Sequence, residues 1–223
     1  MDALFYECNQ ITGISFRGED SSEDWNFSSV KKAKSLFENC TNLVEVQFPD
    51  KANFAKAIDL SAMFKKCINL KLVFNNSADS QLILYDENAS KESLTLKEFF
   101  AECHVLEDIY SFVLVDMTRV NNFEKMFNNA KMLRGSSLTT SIDRNILDLT
   151  SWTTSDIDPS DNKKYFGKNL SSMFDGCESL TGIIFPTINY ITAIDSLFNS
   201  CKKLETIDLT PLGLVTLANG IPV

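Results

Sequence analysis

One phrase written seven times constrains this chain more than any other feature. It reads "LFYECNQITGISF" from Leu4, "LFENCTNLVEVQF" from Leu36, "MFKKCINLKLVF" from Met63 and "FFAECHVLEDIYSF" from Phe99. It returns as "MFNNAKMLRGSSL" from Met126, "MFDGCESLTGIIF" from Met173 and "LFNSCKKLETIDL" from Leu197. The common pattern is [LMF]-F-x-x-C-x-x-[LI], usually followed by x-x-[IV]-x-[FL]. Self-similarity at a period of a few tens of residues marks a chain built from stacked units, because each unit has one apolar side and cannot bury it alone.

All six cysteines, Cys8, Cys40, Cys67, Cys103, Cys177 and Cys201, occupy the same slot, and the fifth copy places Ala130 there. Alanine replaces a small packed residue but neither a metal ligand nor a nucleophile. Zinc or redox chemistry would need cysteines clustered locally, as in C-x-x-C, whereas consecutive cysteines here are at least 24 residues apart. Stacking would still bring equivalent slots together. A buried column of thiols is the expectation, since free cysteine behaves as a small hydrophobe, and a disulfide between adjacent units is the alternative.

Within the phrase, Ala33, Leu36, Phe37 and Cys40 recur at helical spacing, which predicts a short helix with one apolar side. After Thr41-Asn42 the pattern Leu43-x-x-Val46-x-Phe48 changes to an alternation of two, which predicts a short strand. The phenylalanines Phe5, Phe37, Phe64, Phe100, Phe127, Phe174 and Phe198 are separated by 32, 27, 36, 27, 47 and 24 residues. Extra length must therefore lie in loops, expected at residues 17–29, 71–82 and 134–167. The first is acidic ("GEDSSEDWN"), the second reads as a hairpin around "NNSADS", and the third contains a strand-like "ILDLTSW" and a polar "DPSDNKK".

The unit [LM]-F-x-x-C-x-x-L-x-x-[IV]-x-F, with "LDLTSW" and the return into "NLSSMF", resembles the BspA-like leucine-rich repeats found in surface proteins of bacteria and protozoa. The likeness runs from Met1 to about Leu209. It implies an α/β fold over residues 1–223: one right-handed leucine-rich-repeat solenoid of about seven irregular repeats, with short parallel strands on one face and short helices on the other. It also implies a non-catalytic adhesion or binding module at the cell surface or secreted, and it carries over no catalytic residues. The N-terminal "MDALFYECNQ" has neither a basic segment nor an apolar run of signal-peptide length, so a cytoplasmic chain is the alternative placement.

Composition narrows the partners. With 44% hydrophobic and 11% aromatic residues the chain has ample material for a core, yet no apolar run approaches the ~20 residues of a membrane span. Its formal charge is −9 and its 21 Lys and Arg are dispersed, so a phosphate backbone would be repelled; nucleic acid is not an expected partner, nor is direct membrane insertion. No P-loop, G-x-G-x-x-G or H-E-x-x-H occurs, and no cofactor or metal is expected. The single histidine, His104, falls in a slot held elsewhere by Asn9, Thr41, Ile68, Lys131, Glu178 and Lys202, which reads as an exposed turn position rather than a general base. The chain is not expected to be an enzyme.

What remains is the outward side of the strands. The alternation places Glu45, Gln47, Asp108, Tyr110, Asp148, Ile184 and Asp208 away from the core, with Tyr110 and Ile184 as apolar anchors. The expected function is recognition of a protein, or alternatively a glycan, through this face and the inserted loops. The other reading is a structural spacer, one segment of a longer repeat array; a third, ordinary reading of the face is the polar side of amphipathic strands.

Overall fold

The computed structural model describes residues 1–73, 81–84, 86, 88–109, 113–115, 117–134, 146–150, 152, 167–188 and 190–213. Its strands are two or three residues long and every pairing between them is parallel. Parallel neighbours require a long crossover, and here each copy of the repeat is the crossover.

At the end of the first three copies lie β1 (Gly13–Ser15), β2 (Glu45–Gln47) and β4 (Leu72–Val73), which form one sheet in that order. The sixth and seventh copies give β11 (Gly182–Ile184) and β13 (Thr206–Ile207), and the strand-like "ILDLTSW" of the third insertion gives β9 (Ile146–Asp148); these form a second sheet ordered β13-β11-β9. On another edge run β3 (Lys51–Asn53), β5 (Gln81–Ile83) and β7 (Val113–Val115). Just before the phrase stand β6 (Leu94–Thr95), β8 (Val120–Asn122), β10 (Lys168–Asn169) and β12 (Ile191–Ala193), extended by single bridges Lys32–Asp59–Thr95. At this edge a side chain ends the strand and starts the phrase: Asp59, Asn122 and Asn169 each accept the amide two residues on, at 2.9 Å.

The phrase itself is not helical, and among the described residues the one helical element is a 3-10 turn at Thr210–Leu212. Each copy instead makes consecutive turns, as in Glu38 N–H to Ser35 C=O at 3.2 Å and Cys40 N–H to Phe37 C=O at 3.1 Å. Two residues per copy take a positive φ, two before and two after the phrase phenylalanine: Ser35 (54°) and Asn39 (65°), Ala62 (54°) and Lys66 (61°), through to Ser196 (54°) and Ser200 (58°). Left-handed residues break a right-handed helix, and they turn alternate amides sideways. Ser35, Phe37 and Asn39 then donate to Ser61, Met63 and Lys65 of the next coil at 2.8–2.9 Å. The helical spacing of apolar residues is thus produced by a turn ladder that serves its neighbours.

The loop expectations fare differently. The strands flanking the expected hairpin do not pair with each other, since β4 joins the sheet of β2 while β5 joins that of β3 and β7; the expected turn around "NNSADS" lies outside the described residues. Most of 134–167 lies outside the described residues. The acidic segment at 17–29 wraps over the first two coils and buries Phe27 against Phe54, with ring centroids 4.9 Å apart.

Side chains from every coil meet in one continuous core among the described residues. Its axis is a file of seven phenylalanine rings. Phe5, Phe37, Phe64, Phe100, Phe127, Phe174 and Phe198 stack in sequence with centroids 5.2–5.7 Å apart and planes within 14° of parallel. Offset stacks at such distances gain beyond simple area burial. Two buried cations also tie coils together. The Arg119 guanidinium donates to the carbonyls of Ala55, Ala57, Leu84 and Glu92, while Lys168 Nζ donates to those of Met117 and Thr118.

Candidate functional site

The cysteines were the first chemical candidates, and the structure accounts for them. All six are free thiols. Five of them donate to the carbonyl of the phrase phenylalanine one coil back: Cys40 to Phe5 at 2.8 Å, Cys67 to Phe37 at 3.0 Å, Cys103 to Phe64 at 3.1 Å, Cys177 to Phe127 at 3.2 Å and Cys201 to Phe174 at 3.0 Å. Burial pushes the Cys40 and Cys201 thiols up to about 11 and raises Cys67, Cys103 and Cys177 further. A thiol held neutral is a poor nucleophile and a poor metal ligand. No group of three His, Cys, Asp or Glu arranged to hold a metal ion occurs among the described residues. His104 is half-buried, and its backbone carbonyl accepts from Met132 N–H at 3.2 Å.

The outward strand face is organised by register. Glu45 of β2 stands between Gly13 of β1 and Leu72 of β4, and the absence of a side chain at Gly13 lets Glu45 Cγ lie over it. Gln47 pairs with Ser15. In the second sheet Asp148 is the register partner of Ile184, and Asp208 follows β13 directly, one residue past the Ile183–Ile207 pair.

The structure therefore brings Asp148, Ile184 and Asp208 together, and separately Glu45 and Gln47; the two groups sit in different sheets. Asp108 is exposed but belongs to no strand, and Tyr110 lies outside the described residues. Two of the acids also have local work. Asp148 Oδ1 accepts from Thr150 N and Oγ1 at 2.9 and 2.7 Å, and Asp208 Oδ1 accepts from Thr210 N and Oγ1 at the same distances. The Thr210 bonds hold the Asp208 carboxyl below its usual range. Each aspartate closes the turn after its strand, a role readable from the shared "LDLT" and "IDLT".

One family has members matching the first five copies of this phrase: the family described as "Mycoplasma protein of unknown function, DUF285" matches residues 1–140. The chain belongs to that family. The DUF285 match ends inside the stretch that follows Leu133, while the phrase continues through Met173 and Leu197 with the same ring stack and thiol bonds. No curated protein and no solved structure matches the chain. No helix of the described residues is long and apolar enough to cross a membrane.

Proposed function

We propose that this DUF285 chain is a leucine-rich-repeat solenoid of the BspA-like kind, acting at the cell surface or after secretion as a non-catalytic module that binds a protein partner. The observation that carries this reading is the strand register. Equivalent strand positions of successive coils, such as Gly13, Glu45 and Leu72 or Asp148 and Ile184, stand side by side in rows. Rows of that kind make the extended surface through which repeat proteins recognise partners. The thiols and phenylalanines, by contrast, are committed to holding the coils together.

Within the face, Glu45 and Asp108 are both exposed acids. A Glu45→Lys/Asp108→Lys variant tests the reading. Purified surface and matrix proteins are titrated against both forms by biolayer interferometry, with far-UV circular dichroism as the fold control. Binding weakened about tenfold or more in the variant supports the face; equal binding by both forms removes it.

A structural spacer within a longer repeat array is the second reading, and one observation favours it. Each coil presents amides to the next coil and carbonyls to the previous one. The carbonyls of Asp2, Leu4 and Tyr6 and the amides of Ser196, Phe198 and Ser200 are the same groups at the two ends of the described stack, and Leu4 and Tyr6 are exposed beside them. An upstream consensus coil fused before Met1 would raise the thermal midpoint under this reading and leave it unchanged otherwise.

A further inference from the structure

The acidic insertion that follows β1 forms one wall of an open cleft of about 660 Å³, whose opposite wall is the turn leading into β3. Insertion residues Ser21, Ser22, Asp24, Trp25 and Asn26 face Pro49, Asp50, Lys51 and Asn53 across it. Trp25 is 53% exposed, an unusual state for the largest apolar side chain in a domain with ample core. It is nevertheless held in place. Its ring sits edge-on against Phe16 with centroids 5.1 Å apart, and its amide donates to the Phe16 carbonyl at 3.0 Å.

The wall around it is equally fixed. Asp24 Oδ1 accepts from Gly18 N at 3.0 Å, Asp20 Oδ1 from Ser22 N at 2.7 Å and Asn26 Oδ1 from Ser28 N at 2.9 Å. On the far side Asp50 pairs with Arg17 at 3.1 Å, and Asn53 is held between Asp86 and the Ala55 amide at 2.9 Å each. A loop tied down at this many points presents its exposed ring without paying to order it on binding.

We infer that this cleft binds a neutral saccharide, with one pyranose ring lying on the exposed face of Trp25. The inference rests on the reading of the chain as a binding module but not on the strand face. An indole face is electron-rich, and the C–H face of a pyranose is apolar with weakly positive hydrogens, so the two stack. The rim supplies the mixture that sugar hydroxyls need: Ser21 and Ser22 hydroxyls, the Asn26 amide, the Asp24 carboxylate and the Lys51 ammonium. Charge separates this occupant from others of similar size. An organic cation on Trp25 would also face Lys51, and an anion would face Asp24 and Asp50, whereas a polyhydroxyl ligand satisfies donors and acceptors of both signs. The volume lies in the range of small-ligand sites and accommodates two to three sugar rings.

Tryptophan fluorescence reads the site, because Trp25 is exposed and the other tryptophan, Trp152, is only 5% exposed. The full chain is titrated with maltotetraose, cellotetraose, chitotetraose and a galactose tetramer, and with choline chloride as a cation probe. A saturable blue shift with at least one tetrasaccharide is expected, weakened about tenfold or more by Trp25→Ala and partly restored by Trp25→Tyr. Trp25→Ala removes the edge contact with Phe16, so its thermal midpoint should drop modestly while its far-UV spectrum matches the parent, and Trp25→Tyr, which keeps a ring there, serves as the folded control. Absence of saturation with all four sugars, equal binding by Trp25→Ala, or Trp25-dependent binding of choline alone would each overturn the inference. Retention of sugar binding in Glu45→Lys/Asp108→Lys separates this cleft from the strand face, so either can fail without the other.

Discussion

The thiol of Cys67 donates to the carbonyl oxygen of Phe37, one coil back, at 3.0 Å, and that carbonyl also accepts the amide of Cys40 at 3.1 Å. The same three-way contact recurs at Cys40, Cys103, Cys177 and Cys201, so these five cysteines are hydrogen-bonded wedges between coils. Burial holds these thiols neutral, with Cys40 and Cys201 pushed up to about 11 from a reference of 9.0. A group that keeps its proton more tightly when folded contributes stability below its unfolded pKa and loses it as pH rises toward the folded value. Stability should accordingly fall between about pH 9 and 11, by up to about 1.4 kcal/mol per pH unit for each such thiol. Urea midpoints measured across that window check this, and Cys40→Ser should flatten the fall. At neutral pH a bulky thiol reagent should label the native chain slowly and the unfolded chain fast; rapid native labelling of Cys67 or Cys103 would refute the wedge.

The ring stack predicts a gradient of mutational cost. Phe64 and Phe100 are stacked on both sides and fully enclosed, whereas Phe5 is stacked on Phe37 alone and only half-buried. Phe64→Ala should cost about 3–5 kcal/mol, and Phe5→Ala distinctly less. Chemical denaturation of both variants decides it, since equal costs would mean that the file of rings is not the axis of the core.

Arg119 predicts a different signature. Its guanidinium serves four backbone carbonyls on three separate segments, and it is 2% exposed. Arg119→Leu strands those acceptors in the core and should cost about 3 kcal/mol or more. Arg119→Lys keeps the charge but not the planar fork, so it should recover only part of the loss. Full recovery by lysine would show that charge, rather than the fork, holds the segments together.

These variants also show what could be read without coordinates. The repeat and its apolar slots were legible because hydrophobic position is encoded in residue identity: Leu36, Phe37, Cys40 and Leu43 are all fully buried. The helix was not. Apolar residues at i, i+3, i+4 and i+7 report only that they share a side, and consecutive turns with left-handed corners satisfy the same spacing. Glycine, the usual marker of such corners, occupies just one of the fourteen phrase positions, Gly176. Arg119 was equally silent, because a buried arginine that bonds carbonyls leaves no partner motif in sequence. Asp148 and Asp208 were readable as outward residues, yet their bonds to Thr150 and Thr210 mark them as turn closers as well.

The left-handed corners give the sharpest test of the ladder. A non-glycine residue at positive φ costs about 1 kcal/mol, and here Lys66 bears it at 61° because its amide must reach the Ala101 carbonyl at 2.8 Å. Lys66→Gly relieves that strain while adding freedom to the unfolded chain, and Lys66→Asn relieves part of it with less added freedom. Both should match or exceed the parent in stability, by up to about 1 kcal/mol, where glycine in a true helix would cost about as much. The reverse change is asymmetric. A Cβ at Gly176, whose φ is 77°, would come within 2.4 Å of Asn129 Oδ1 in the coil before, so Gly176→Ala meets both strain and a clash. It should destabilise by about 1–3 kcal/mol. Thermal midpoints of these variants separate the two backbones: stabilisation by Lys66→Gly fits only a left-handed corner, and a clear loss there would return the phrase to a helix.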